Sequence, residues 1–534
     1  MPLQLLKISP RDIPQLSPRD RDYWLGEDKL QKLLPHKAEE DAFRQILALR
    51  KRYPTDRKLL HSVLSKQYGG HHLAKAEEKN LQALLSENTF TVCTAHQPVL
   101  FTGPLYFIYK IASAIALARR WEEKIPEGHR VIPVFILGAE DHDFEEIACA
   151  HLGEHDICWQ SQAGGPVGRL STQTLEEPLQ ELEKALNGHP IARRIAEIFR
   201  SHTRYGPAMA RLLRELFGKY GLLVLQTDEA ELKRSFIPQF KKELFDRPSQ
   251  EAVESTQQHL KQLGYRPQAH AREINLFYMT DDFRRLIVPE GSGFRIRHTD
   301  LHFTEEEMLR ELKEQPERFS PNVVMRPLFQ EHILPNLAYV GGGGELAYWM
   351  ERPGQFERFG IPFPMLVRRN SALWLSPNDV RLMKKTGISP EELFLPPEQL
   401  LSQRLQRAGG RSLHLSEEKK QMKALFQQIE RKAEAIDPTL LAATRARARS
   451  AEKELEKLEK KMLKAEKRKH EQELAQLQKL HDNLFPGGKL QERHANFLPY
   501  YAAYGSKVLD FMISNFNPLE KAFYLLLPAE TAVS

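Results

Sequence analysis

Cysteine is scarce in this chain: its 534 residues hold three, Cys93, Cys149 and Cys158. So few cannot build a disulfide framework, and the number fits a reducing cytosol. Long hydrophobic runs are missing as well. No apolar stretch approaches the length of a bilayer span, which excludes a membrane partner of the spanning kind. The first residues, Met1-Pro-Leu-Gln-Leu-Leu-Lys7, lack the charged-then-apolar pattern of a secretion signal. Charge of one sign is modest too, with a net +6 over the whole chain. Much of that excess falls in residues 416–484, where basic and acidic side chains interleave. Interleaved signs make a poor phosphate track, so nucleic acid is not an expected partner. What survives these exclusions is a cytoplasmic protein of several domains.

The pattern that is present changes along the chain. Residues 1–88 read as a helical region packing on a core, with Phe43, Ile46, Leu47 and Leu49 near helical spacing. From residue 89 to 370 apolar runs at 90–94, 131–137, 221–226, 336–340 and 363–367 predict five strands, with a helix opening near Gly103. Strands alternating with helices predict an α/β fold with a doubly wound, mostly parallel sheet. The strand spacing is uneven, so residues of about 150–215 and 230–320 are expected as inserted segments. A connection is expected over 371–415 and a coiled coil over 416–485. Met422, Leu425, Ile429, Ala433 and Ile436 form one apolar stripe there. Leu455, Leu458, Met462, Ala465, Leu477, Leu480 and Leu484 form a second. The first stripe offers the second a shorter partner within the chain, and a homodimer contact would bury the remainder. Residues 486–534 read as a segment returning to the core, with a strand over 522–527.

Candidate chemistry lies where predicted strands end, the place at which open α/β sheets bind ligands. The first such stretch is Thr94-Ala-His-Gln-Pro-Val-Leu-Phe-Thr-Gly-Pro104. A Gly-Pro turn opening a helix lets a phosphate approach backbone N–H groups, with His96, Gln97 and Thr102 beside it as donors. The alternative is that Gly103 only permits a tight turn. The second stretch is Glu140-Asp141-His142-Asp143. Crowded carboxylates around a histidine need a positive group near them, and His142 can serve as general acid or base. The alternative is an acidic helix start with Asp141 as cap. Cys149, His151, His155 and Cys158 lie close in sequence, but their spacing matches no common zinc pattern and no metal site is assigned. Third, Gly341-Gly-Gly-Gly-Glu345 invites close backbone approach by a ligand, or forms a loose turn. Arg326 upstream, Tyr348 downstream, and Arg368 with Asn370 at the end of the fifth strand complete the candidates.

Four of these segments together resemble a known family. His96-Gln-Pro-Val-Leu-Phe-Thr-Gly-Pro-Leu-Tyr106, Ala139-Glu-Asp-His-Asp-Phe-Glu-Glu-Ile147, Asn322-Val-Val-Met-Arg-Pro-Leu-Phe-Gln-Glu331 and Gly344-Glu-Leu-Ala-Tyr-Trp349 resemble, in order, the cysteine-adding enzymes of bacillithiol biosynthesis. The resemblance implies a Rossmann-like core related to class I nucleotidylyltransferases, with helical insertions and a coiled coil that promotes dimers. It implies addition of L-cysteine to the amino group of glucosaminyl malate. Family members often have Gln where this chain has His96, and a less glycine-rich run before Glu345.

Amide formation from cysteine needs an activated carboxylate, most economically an adenylate, which makes ATP the expected cosubstrate and Mg²⁺ its companion. On this reading His96, Gln97, Thr102 and Gly103 contact phosphate or nucleotide. Asp141, His142 and Asp143 bind the substrate amine and take its proton. Arg326, Gly344, Glu345, Tyr348, Arg368 and Asn370 line the rest of the pocket. Two other readings stand beside it, since fold does not fix chemistry: a nucleotidyl- or glycosyl-transferase, and a non-catalytic dimeric scaffold.

Overall fold

The computed structural model describes residues 3–161, 164–407, 415–469 and 471–529. Parts of the expected connection (408–414) and of the final segment (530–534) lie outside the described residues. The chain divides into two compact units, one of residues 1–373 with 490–526 and one of 374–489 with 527–534.

The first unit is organised by five strands: β1 (Thr89–His96), β2 (Arg130–Leu137), β3 (Leu223–Gln226), β4 (Asn336–Gly341) and β5 (Met365–Arg368). They lie in the order β5-β4-β1-β2-β3, and every neighbouring pair is parallel. Both faces of the sheet are covered, as the near-continuous apolar runs require. The alternation along β1 sorts its side chains between two cores. Phe90 and Val92 pack with Val131, Val340 and Val367 on one face. Cys93 and Ala95 pack with Ile132, Val134 and Leu225 on the other.

Four helices place the candidate residues. They are α1 (Pro18–Leu25), α2 (Leu105–Glu122), α3 (Arg326–Ile333) and α4 (Gly343–Trp349). The helix α2 packs against β1 and β2 and is buried on nearly every side, which its Ala, Ile and Leu content allows. The long gaps between strands hold real structure. Residues 150–215 carry a hairpin and three helices, and 230–320 carry four helices and most of a five-stranded antiparallel sheet. The late segment enters the first unit, where the Tyr524 N–H donates to Ser371 O at 3.0 Å and Asn370 Nδ2 to Asn517 O at 3.0 Å.

Cysteine pairing departs from the expectation. Cys149 and Cys158 stand directly opposite each other in an antiparallel hairpin, Cα atoms 4.1 Å apart, and are joined as a disulfide. Hairpin register sets this proximity, and a count of cysteines does not report register. His151 turns instead to Asp156, 2.6 Å away, and stacks on His494. Cys93 is free and buried in the sheet.

In the second unit α5 (Ser416–Ile436) and α6 (Leu440–Lys469) form an antiparallel pair joined by a short turn. The Asp437 side chain closes that turn by accepting the Thr439 N–H at 2.8 Å. Lys419 and Glu459 tie the two helices at 2.6 Å. On α7 (Glu471–Leu484), Leu477, Leu480 and Leu484 are buried against helices of the same unit. Leu425 and Leu458 remain about half exposed, at 54% and 49%. Among the described residues, no helix is long and apolar enough to cross a membrane.

Candidate functional site

The sheet changes its direction of winding between β1 and β4. The chain passes from β1 to β2 and β3 on one side, and from β4 to β5 on the other. In sheets of this kind, ligands bind in the crevice beyond the carboxyl ends of the strands at that switch point. Here the crevice is framed by His96 and Gln97 after β1 and by Gly342 to Glu345 after β4. Exposure marks the opening. Thr89 to Ala95 are buried, and His96 and Gln97 are the first residues solvent reaches. Gly342, Gly344, Glu345, Tyr348 and Arg326 are likewise open, wholly or partly, among buried neighbours.

Beneath this opening lies Lys110, fully buried on the second turn of α2. Its ammonium sits 2.7 Å from Glu345 Oε2 and also donates to the carbonyl of Ala95. Burial pushes the Lys110 pKa down to about 8 against the pull of Glu345. For Glu345 burial acts upward, yet Lys110 and His96 outweigh it and hold the carboxyl at about 2. Glu345 also accepts the Tyr339 hydroxyl at 2.8 Å and the Gly342 N–H at 3.0 Å. A carboxylate with three donors is an anchor for its surroundings rather than a base.

His96 is fixed in one tautomer. Its Nδ1 lies 3.0 Å from the Gln97 carbonyl, which can only accept, so Nδ1 carries the proton. Nε2 then accepts the Tyr106 hydroxyl at 3.1 Å. Burial first, and Lys110 next, lower the His96 pKa to about 4, so the ring is neutral near pH 7. Across the crevice Arg326 donates through Nη2 to the Tyr348 hydroxyl at 2.6 Å.

The exit of β2 lies alongside. The Gly138 N–H donates to the His96 carbonyl at 2.8 Å, and Gln97 Nε2 to Glu146 at 2.8 Å. Asp141 accepts the N–H groups of His142 and Asp143 at 2.7 and 3.3 Å, which shapes the turn. His142 and Asp143 are exposed. His142 Nδ1 is 3.2 Å from Arg284 Nη1. A guanidinium can only donate, so Nδ1 accepts and the ring proton sits on Nε2. Partial desolvation of the ring, and then Arg284, lower the His142 pKa. Glu140 points inward instead, toward buried Lys233 at 3.2 Å, which in turn meets Asp228 at 3.4 Å.

Four expected ligand contacts are buried, most of them engaged elsewhere. Thr102 and Gly103 are sealed in a turn. The Gly103 N–H donates to Leu100 O at 2.8 Å and the Leu105 N–H to Ala495 O at 2.8 Å. Asn496 Nδ2 holds the carbonyls of Phe101 and Gly103 at 2.8 and 3.0 Å. With φ of 56° and Val99 2.7 Å from where a Cβ would stand, Gly103 is there for the turn itself. The Gly103 and Leu105 N–H groups are therefore not open to a phosphate, and Thr102 and Gly103 are buried whereas His142 and Asp143 of the acidic segment are exposed. Arg368 is clamped bidentately on Asp20 at 3.1 and 3.0 Å. Asn370 accepts from Ser113 Oγ at 3.1 Å and donates to Asn517 O. Both are buried.

Lys110, Tyr106 and Tyr339 were not among the sequence candidates. For Lys110 a signal exists: it is a lone cation within Phe107-Ile-Tyr-Lys-Ile-Ala112, a run otherwise fit for a core helix.

With this geometry in hand, comparison with known proteins is specific. The family described as "Bacillithiol biosynthesis BshC, N-terminal Rossmann-like domain" matches residues 3–370. "Bacillithiol biosynthesis BshC, C-terminal coiled-coil domain" matches residues 372–527. A protein of Christiangramia forsetii named "Putative cysteine ligase BshC" is 39% identical, over 90% of this chain and 91% of its own. The protein of the same name from Flavobacterium johnsoniae is 38% identical over 88% of each chain. That of Cytophaga hutchinsonii is 31% identical over 98% of this chain and 97% of its own. The chain belongs to the BshC family of bacillithiol biosynthesis, as a Rossmann-like domain followed by a coiled coil.

Proposed function

We propose that this protein adds L-cysteine to the amino group of glucosaminyl malate, using ATP to activate the cysteine carboxylate, at the crevice between β1 and β4. The observation that carries the reading is the opening at the switch point, in a chain that follows the BshC family over nearly its whole length. The cysteine carboxylate attacks the α-phosphorus of ATP and pyrophosphate leaves. The sugar amine then attacks the acyl carbon, loses a proton, and AMP departs. The enzyme's share of this is positioning and electrostatics. Neutral His96, with Gln97, Arg326, Gly344 and Tyr348, faces the nucleotide or cysteine. The Lys110–Glu345 pair holds the β4 side in shape. Asp141 and Asp143 hold the substrate ammonium, and exposed Asp143 receives its proton. With Nδ1 on Arg284, His142 acts by donating from Nε2 to the oxygen that gains charge as the acyl carbon is attacked. The exposed carboxylate of Glu145 suits Mg²⁺, which prefers oxygen ligands and would neutralise nucleotide charge.

The half-exposed leucines of α5 and α6 support a homodimer through the coiled coil. Incubating the pure protein with cysteine, ATP and glucosaminyl malate and reading the products by mass spectrometry tests the chemistry. Bacillithiol with AMP and pyrophosphate is expected. ADP in place of AMP replaces the adenylate by an acyl phosphate. Nucleotide consumed without cysteine makes the protein a transferase, and no turnover at all removes the ligase reading.

A further inference from the structure

Arg352 follows α4 by three residues, and its side chain is completely buried. Among the described residues, none hydrogen-bonds to its Nε, Nη1 or Nη2. A guanidinium carries five N–H donors, and a bare one is among the costliest groups to remove from water. Other buried guanidiniums of this chain are matched: Arg50 by Glu331, Arg214 by Glu77, Arg368 by Asp20 and Arg369 by Glu492. The adjacent carboxylate of Glu351 acts on Arg352 through its charge but makes no hydrogen bond to it. Glu351 already takes Arg19 at 3.3 Å, Gln257 at 2.8 Å, and the N–H groups of Gln268 and Ala269 at 2.7 and 3.1 Å.

The position of Arg352 suggests what the missing acceptor is. After α4 the chain makes a tight turn, with the Glu351 N–H on Tyr348 O at 3.2 Å and the Arg352 N–H on Trp349 O at 3.0 Å, which keeps Arg352 beside the end of the helix that carries Tyr348. The Tyr348 hydroxyl is the group that already receives Arg326. Arg352 and Tyr348 also act on each other electrostatically: the guanidinium opposes the rise that burial gives the phenol. Tyr348 thus takes a hydrogen bond from one guanidinium and feels the charge of a second, and among the described residues that second one, Arg352, has no hydrogen-bonded acceptor.

We propose that Arg352, Arg326 and Tyr348 form an inner subsite for an oxyanion, a carboxylate or a phosphate group of the substrate, which supplies the acceptors Arg352 lacks. The proposal rests on the ligase reading for the use of the crevice, but anion binding is measured without turnover. A ligase failure with Arg352-dependent anion binding would remove that reading and leave the subsite.

The test is thermal unfolding and calorimetric titration of the full chain with L-malate and, separately, with inorganic phosphate. At least one is expected to bind and raise the melting temperature. Malate alone would assign the subsite to the dicarboxylate of the acceptor, and phosphate alone to the nucleotide. Arg352→Met is expected to weaken that anion at least tenfold. Without anion it should melt at or above the wild-type temperature, because an unmatched charge has left the interior. Arg326→Met should weaken the same anion at least tenfold. The proposal is overturned if neither anion binds the wild type, or if either variant keeps full affinity. It is also overturned if Arg352→Met melts well below wild type or does not fold, since Arg352 would then be a structural residue.

Discussion

Lys110 and His142 lie near the same edge of one sheet, yet their surroundings are opposed. Lys110 is fully buried, matched to Glu345, and surrounded by groups whose hydrogen bonds are internal. His142 is part exposed on a turn shaped by Asp141, in contact with Arg284 and with the Phe277 ring. The β4 side of the crevice is set before any ligand arrives. The β2 side can move at little cost. For the proposed ligation, the fixed wall would suit the activated group and the adaptable one the incoming amine.

The largest expected effect breaks the fixed side. Glu345→Gln leaves the buried Lys110 ammonium without its anion, and a stranded buried charge costs about 3–5 kcal/mol. Denaturant unfolding should show a loss of that order, whereas Asp143→Asn on the open side should stay within about 0.5 kcal/mol. Equal, small losses for the two variants would mean that the Lys110 site is far wetter than its burial implies.

Next is acid stability. In the folded chain His96 titrates at about 4 against an ordinary 6.5, and Glu345 at about 2 against 4.5. In both windows the unfolded chain binds more protons, so stability falls as pH falls. The His96 part is fully present above pH 6.5 and gone below about 4, worth up to about 3 kcal/mol at 1.36 kcal/mol per unit. His96→Gln should flatten the decline between pH 6.5 and 4 and leave the Glu345 limb below it. His142→Ala should flatten the same limb less than His96→Gln, because its ring is lowered in the same direction but is only partly buried. A decline unchanged in His96→Gln would show that the ring is not held neutral by burial.

The strands and their parallel order were legible because buried parallel strands write themselves as apolar runs between helices. The rim was legible in part. His96, Gln97, Arg326, Glu345 and Tyr348 follow strands or a helix start, and the switch-point rule selects such places. Thr102 and Gly103 misled because a Gly-Pro turn reads the same whether the N–H groups beside it face a ligand or the carbonyl of Ala495, almost 400 residues later. Arg368 and Asn370 misled for the same reason: Asp20 and Asn517, their partners, are remote in sequence. Cys149 and Cys158 met through a hairpin register that composition does not contain. Lys110 was visible as a lone cation in an apolar helix, but its meaning needed Glu345 beside it.

The four glycines before Glu345 allow a finer version of the same contrast. A Cβ on Gly343 would stand 2.1 Å from Asp20 Cγ, and Asp20 is held by both arms of Arg368. Neither partner can yield, so Gly343→Ala should cost about 1–3 kcal/mol through overpacking. At Gly344 no atom lies within 4 Å of the same position, and the residue is exposed on the first turn of α4. Gly344→Ala should therefore leave stability within about 1 kcal/mol, with a gain the expected sign from helix propensity. If a ligand approaches the backbone there, this stable variant should raise the KM for ATP or cysteine without moving the melting temperature downward. Unchanged kinetics would place the ligand away from Gly344 and leave the run of glycines explained by Asp20 alone.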